Sequence, residues 1–133
     1  MNYFILKSDP SDYSLQDLAK NKTTIWDGVH NYQAINFIKT MKVGDMLFIY
    51  HSQKEKAIMG LATVVGNPFL NSTDPRYSWA MEIEFCQYLK PLTLASIKDS
   101  PLCQDLLLVK NPRLSVIPVP TKALGFILQE VGL

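Results

Sequence analysis

The sequence predicts an α+β domain: a small mixed β-sheet curled into a barrel, with short helices packed on its outside. Three observations predict it. Strand-like runs recur along the chain and are β-branched, aromatic or alternating in pattern. The helical segments are short and amphipathic. Their order is strand, helix, helix and then several strands with short helical inserts, which is not a regular βαβ alternation. At 133 residues the chain fits a single domain spanning 1–133. Its 47% hydrophobic and 19% charged content is that of a globular protein.

Asn2–Leu6 reads as a strand entering the turn Ser8-Asp9-Pro10-Ser11. Tyr13–Lys20 reads as a helix, with Ser14 as N-cap and Asp17 three residues on, an approximate capping box. Thr23–Trp26 is a short extended piece. Ala34, Phe37, Ile38 and Met41 recur at helical spacing and predict a helix over 32–41. Met46–His51 is a buried strand. Gln53–Lys56 is a charged tip, and Ala57–Val65 returns as the second arm of a hairpin. Gly60 within that arm suggests a bulge or a close backbone approach. Asn67–Tyr77 is loop. Trp79–Tyr88 alternates apolar and polar, a half-buried strand that Leu89–Leu92 extends as an edge carrying Pro91. Thr93–Ser100 and Pro101–Leu106 are two short helices, Ser115–Val119 is a last strand, and Thr121–Val131 is a terminal helix weakened by Gly125.

A net charge of +1 excludes a broad basic footprint but not a local patch beside a pocket. Cys86 and Cys103 have neither metal-ligand nor disulfide spacing, and Cys86 reads as a small core residue. Two reduced cysteines, no secretory leader and no apolar run of membrane-spanning length point to a cytoplasmic protein without a membrane partner. The sequence does not fix an oligomeric state.

The densest chemistry lies in Thr24-Ile25-Trp26-Asp27-Gly28-Val29-His30-Asn31-Tyr32-Gln33-Ala34, where aromatic and amide groups surround one glycine. A flat aromatic wall beside hydrogen-bonding groups is what a planar heterocycle such as a base requires. The competing structural reading is a turn and a helix start, with Trp26 in the core and Asn31 as the N-cap. Lys7-Ser8-Asp9-Pro10 turns sharply after a strand and can present Ser8 and backbone groups at a barrel mouth, or form a plain Asx turn. Tyr50-His51-Ser52 ends a strand and looks like a catalytic triplet. Yet the chain has no nucleophile elbow and no zinc-protease motif, and its only histidines are His30 and His51. Neither a catalytic nucleophile nor a metal site is predicted, and no cofactor. Lys110-Asn111-Pro112-Arg113 can supply phosphate contacts, or simply be solvated charge before a strand.

These segments, together with Met41-Lys42-Val43-Gly44-Asp45, Gly60-Leu61-Ala62-Thr63-Val64 and Arg113–Val119, resemble the pattern of the EVE domain and of thymocyte nuclear protein-like chains, in order and over nearly the whole length. The resemblance implies a PUA-like fold and a pocket for a flipped-out modified base, above all a modified cytosine, in DNA or RNA. Carried over by position, it implies that the base stacks on Trp26. Lys7, Ser8 and Asp9 would lie at the pocket edge, Asn31 and Tyr32 would offer polar contacts, and Tyr50, His51 and Ser52 would form another wall. Leu114 and Ser115 would close the far side. Phosphate would meet Lys7, His30 and Arg113. His30 stands where the family usually carries Arg, replacing a permanent cation with one that titrates near neutrality. Asp9 stands where Glu is common, and the Ser52–Ile58 loop looks short enough to open the pocket.

The sequence therefore reads as a non-enzymatic module that recognises a modified base in nucleic acid. Two alternatives stand beside it. One is a pocket for a free nucleotide or small metabolite. The other is a small hydrolase acting on modified nucleosides, with His51 or Lys7 as acid–base.

Overall fold

The computed structural model describes all 133 residues. Seven strands and five α-helices follow the chain as β1 (Tyr3–Ser8), α1 (Leu15–Asn21), β2 (Thr23–Trp26), α2 (Tyr32–Thr40), β3 (Met46–His51), β4 (Ala57–Val64), β5 (Phe69–Leu70), β6 (Trp79–Thr93), α3 (Leu94–Asp99), α4 (Leu107–Lys110), β7 (Val116–Pro118) and α5 (Thr121–Glu130), with a 3-10 turn at Pro101–Cys103. The sheet runs β2-β6-β4-β3-β1-β7, with β5 paired to the start of β6. Only β1 and β3 are parallel. No helix is long and apolar enough to cross a membrane.

The predicted barrel is not closed. β2 has β6 as its only strand partner, and β7 has β1. Both edge strands are short, at four and three residues. Helix α2 packs against β6 near one edge and β7 at the other, so it occupies space that strand pairing would need.

Local chemistry explains most elements. Ser14 Oγ accepts from Asp17 N–H at 3.0 Å and Asp17 Oδ2 accepts from Ser14 N–H at 2.9 Å, a complete capping box for α1. Asn31 Oδ1 accepts from Ala34 N–H at 3.0 Å and starts α2. Thr93 caps α3, and Ser100 caps the Pro101 turn. The core gathers 32 buried residues around Phe48, Ile5, Leu47 and Ile38. Asp45 is buried and satisfied, accepting from Asn2 N–H at 3.0 Å and Lys42 N–H at 2.9 Å.

β6 is 15 residues long and runs through Pro91, as the expected extension over Leu89–Leu92 requires. One residue differs from the sequence expectation. Cys86 is exposed rather than in the core, because Glu82, Glu84 and Cys86 share the outward face while Met81 and Ile83 point inward. Cys103 is buried, and its burial raises the thiol pKa. Gly60 marks both a bulge and a close approach. The β4 register shifts beside it, and a Cβ there would sit 2.5 Å from Leu15 Cδ2 and 3.0 Å from the Gln87 carbonyl oxygen. Gly60→Ala is therefore expected to cost about 1–3 kcal/mol by overpacking. Urea unfolding measures this, and an unchanged midpoint would show that Leu15 can yield.

Candidate functional site

The open side of the sheet holds a cavity of about 390 Å³, within the ~300–1,000 Å³ range of small-molecule sites. It lies between β2, one edge of the sheet, and the end of β1 beside Ser115, just ahead of the other edge. One wall is Thr24–Val29 and the facing wall is Lys7, Ser8, Asp9, Asp12, Tyr13 and Ser115. Trp26 ends β2 opposite Met81, half-buried against the core, and Tyr13 meets its ring edge-on at 6.2 Å between centroids. Gly28 turns the wall at φ +76°, a left-handed conformation that favours glycine.

The polar groups of the facing wall are held by bonds made elsewhere. Lys7 N–H donates to Ser115 O at 2.9 Å, tying two segments of this wall together. Lys7 Nζ donates to Pro112 O at 2.6 Å and lies 5.9 Å from the centre of the Tyr50 ring. Its partial burial lowers its pKa from the ordinary lysine value. Ser8 Oγ donates to the Tyr13 carbonyl, so its oxygen faces a ligand as an acceptor. Asp9 is committed to its turn: Ser11 Oγ donates to it at 2.7 Å and Ser11 N–H at 2.9 Å, and these bonds lower its pKa. Asp12 and Asp27 also line the cavity, so its polar surface is rich in acceptors.

Of the residues named from sequence, Lys7, Ser8, Asp9, Trp26 and Ser115 come together here. The others stand apart, each for a visible reason. Asn31 is consumed as the α2 cap. Tyr32 is 70% exposed and pairs with Tyr77 instead. Tyr50 and His51 are buried in β3, beside β1 and in register with Lys7 and Ser8. Ser52 supports the wall from beside it, donating its N–H to Ser8 O at 2.9 Å. Leu114 is a core residue. Arg113 is exposed and makes no ion pair. His30 sits 2.7 Å from Asp74, whose carboxyl is held at a pKa of about 2 by bonds from the Arg76 backbone, His30 and Ser78. The Gln53–Glu55 tip lies away from the cavity, against Asp9–Ser11.

Sequence reasoning did not assign Asp12, Tyr13, Thr24, Ile25, Asp27, Gly28 or Val29 to the site. Tyr13 and the Asp27-Gly28 turn belonged to recognised segments, but only the fold shows which face they present. It also did not see His51 bonded to Glu55, four residues on, with Nδ1 2.8 Å from Oε1. That bond lowers the Glu55 pKa. A carboxylate–histidine pair looks catalytic, yet His51 Nε2 accepts from Leu15 N–H at 3.0 Å and the side chain is 1% exposed. Its only basic lone pair is spent on the first turn of α1. His51→Ala is expected to orphan that buried N–H and cost about 1–3 kcal/mol. Thermal melts check this, and a variant as stable as wild type would free His51 for another role.

The EVE domain model matches residues 2–130. Thymocyte nuclear protein 1 of Gallus gallus is 32% identical over 162 aligned positions, covering 95% of this chain and 67% of the relative. Those positions outnumber the residues here, so the relative carries insertions that this chain lacks. A hypothetical protein from Leishmania major superposes with a TM-score of 0.91 at 34% identity, covering 99% of this chain and 95% of that one. Human THYN1, solved in complex with 5-methylcytosine-containing DNA, superposes with a TM-score of 0.89 at 26% identity, covering 97% and 96%.

Proposed function

Because the chain belongs to the EVE domain family, we propose that it is a non-enzymatic module that holds a modified base, foremost a modified cytosine, of DNA or RNA against Trp26. The observation that carries the reading is the cavity itself. An aromatic wall faces polar groups already fixed in place, in a fold shared with a protein solved bound to 5-methylcytosine-containing DNA. Preorganised groups lose little entropy on binding.

The lining chemistry favours cytosine over thymine. Asp12, Asp27 and the Ser8 oxygen are acceptors, and a carboxylate accepts well from the cytosine exocyclic amine. Lys7, Ser8, Asp9, Trp26 and Ser115 are the base-binding residues in this reading. Arg113, exposed two residues before Ser115 and free of any ion pair, is the phosphate contact. His30 and His51 act indirectly, through the loop and the helix that they fix.

Catalysis is disfavoured by what surrounds the groups that would perform it. His51 is shielded and its Nε2 is occupied, while the Lys7 ammonium is turned to the Pro112 carbonyl. Cytoplasmic residence fits the two free cysteines. A nuclear location, suggested by the relative's name, would equally supply nucleic acid.

The test is binding of matched oligonucleotides at low salt: unmodified, and carrying 5-methylcytosine, 5-hydroxymethylcytosine or N6-methyladenine. Modification-selective binding that weakens with salt is expected. Binding of free nucleosides as tight as of oligonucleotides, insensitive to salt, would favour the free-nucleotide pocket. Turnover of a modified nucleoside would favour a hydrolase.

A further inference from the structure

The segment that leaves the cavity wall at Val29 and the one that leads into β6, the strand paired with that wall, each carry an exposed tyrosine, and the two rings meet. On one side, Val29 leads through His30 and Asn31 to Tyr32, at the start of α2. On the other, β6 pairs Met81 with Trp26, so Ala80 and Trp79 run beside the Asp27-Gly28 turn, and Tyr77 lies two residues before Trp79. The Tyr32 and Tyr77 centroids are 5.8 Å apart and the ring planes 33° apart. Tyr32 is 70% exposed and Tyr77 46% exposed, far from the burial expected of core aromatics.

The pair is held in place from several directions. Trp79 Nε1–H donates to Tyr77 Oη at 3.1 Å. Asp74 accepts from Ser78 Oγ at 2.8 Å and from Arg76 N–H at 2.9 Å, and meets His30 Nε2 at 2.7 Å. The loop bearing Tyr77 is thereby tied to the segment bearing Tyr32. The nearby charge is cationic and available: Lys39 Nζ lies 5.2 Å over the Trp79 ring, and Arg76 is exposed with no ion pair. Of the nearby carboxylates, Asp74 is already saturated with hydrogen bonds and Asp27 lines the cavity.

Resting on the reading above, we propose that Tyr32 and Tyr77 form a second stacking surface, outside the cavity, for a nucleotide flanking the base held at Trp26, with Arg76 and Lys39 meeting the adjacent phosphates. The occupant is a nucleic-acid strand rather than a protein or lipid. The surface continues from the cavity wall, offers π-faces that stack any base, and carries free positive charge for the backbone. It reads no sequence; it adds affinity and sets the strand's direction across the cavity mouth.

The test compares a single-stranded 12-mer carrying one 5-methylcytosine with free 5-methyl-2′-deoxycytidine, on wild type, the Tyr32→Ala/Tyr77→Ala double variant and Tyr32→Phe/Tyr77→Phe. In wild type the 12-mer binds more tightly than the nucleoside. The double alanine variant is expected to lose roughly tenfold or more of that advantage, and the phenylalanine variant to keep it. Arg76→Ala is expected to lower the slope of log K against log salt by about 0.7. If the alanine variant keeps the full advantage, or loses nucleoside and 12-mer affinity equally, the surface is overturned while the cavity reading stands. If wild type binds neither probe, the cavity reading has failed and this proposal falls with it.

Discussion

Replacing Trp26 by alanine is expected to weaken binding of an oligonucleotide carrying the recognised base by roughly 5- to 150-fold, the equivalent of about 1–3 kcal/mol of base–aromatic stacking. Trp26 is the largest flat surface in the cavity lining, and the one other aromatic ring there, Tyr13, meets it edge-on. The ring also packs partly on the core and against Tyr13, so some stability is lost too. Titration well below the variant's melting temperature separates the two effects. Trp26→Phe keeps a stacking face and is expected to recover part of the affinity. Unchanged binding by Trp26→Ala, with the fold confirmed by circular dichroism, would remove the base from this cavity.

The largest stability effect is expected at the opposite extreme of burial. Phe48 is fully buried in β3, between β1 and β4, and stacks on Tyr3 with centroids 5.6 Å apart. Phe48→Ala is expected to cost about 3–5 kcal/mol, from lost burial and the void left behind. For a domain of this size that is a fall in Tm of order 10–20 °C. Urea unfolding should show a lower midpoint with an unchanged slope. Because Phe48 lies outside the cavity lining, the folded fraction should bind as wild type does. A loss under about 1 kcal/mol would mean that the centre of the sheet is not packed as described.

Much of the fold was legible in the sequence because its signals are local. The Ser14–Asp17 box, the Asn31 cap and the apolar runs of β3 and β4 each declare an element within a few residues. Gly60 announced its tight environment for the same reason. What stayed hidden depends on register and on partners far along the chain. Tyr50-His51-Ser52 lies next to the site in the sheet, yet β3 is one strand further from the gap than β1, so the triplet stands beside Lys7 and Ser8 and outside the cavity lining. Cys86 sits in an apolar run, but only the pleat reveals its face. Tyr32 could be read as a residue of the mouth, whereas its ring partner lies 45 positions later in a loop with no periodic signal. Asn31 had two possible roles, and the short-range one prevailed, since a helix start always needs an acceptor.

The unclosed sheet bears on how the domain would move. Lys7 holds Ser115 at one rim of the gap, while β2 hangs from β6 alone at the other. The weak link is therefore β2 and the turn after it, the stretch that carries Trp26. Empty, that edge is restrained by its pairing with β6 and by Trp26 and Val29 packing on the core, and it should open at lower cost than the central strands, as edge segments do. A base lodged in the gap touches both rims at once and acts as a clasp, slowing amide hydrogen exchange in residues 24–29 more than elsewhere. Affinity and rigidity would then rise together, and a looser or tighter β2 would tune how long the nucleic acid stays bound without altering a single group that touches it.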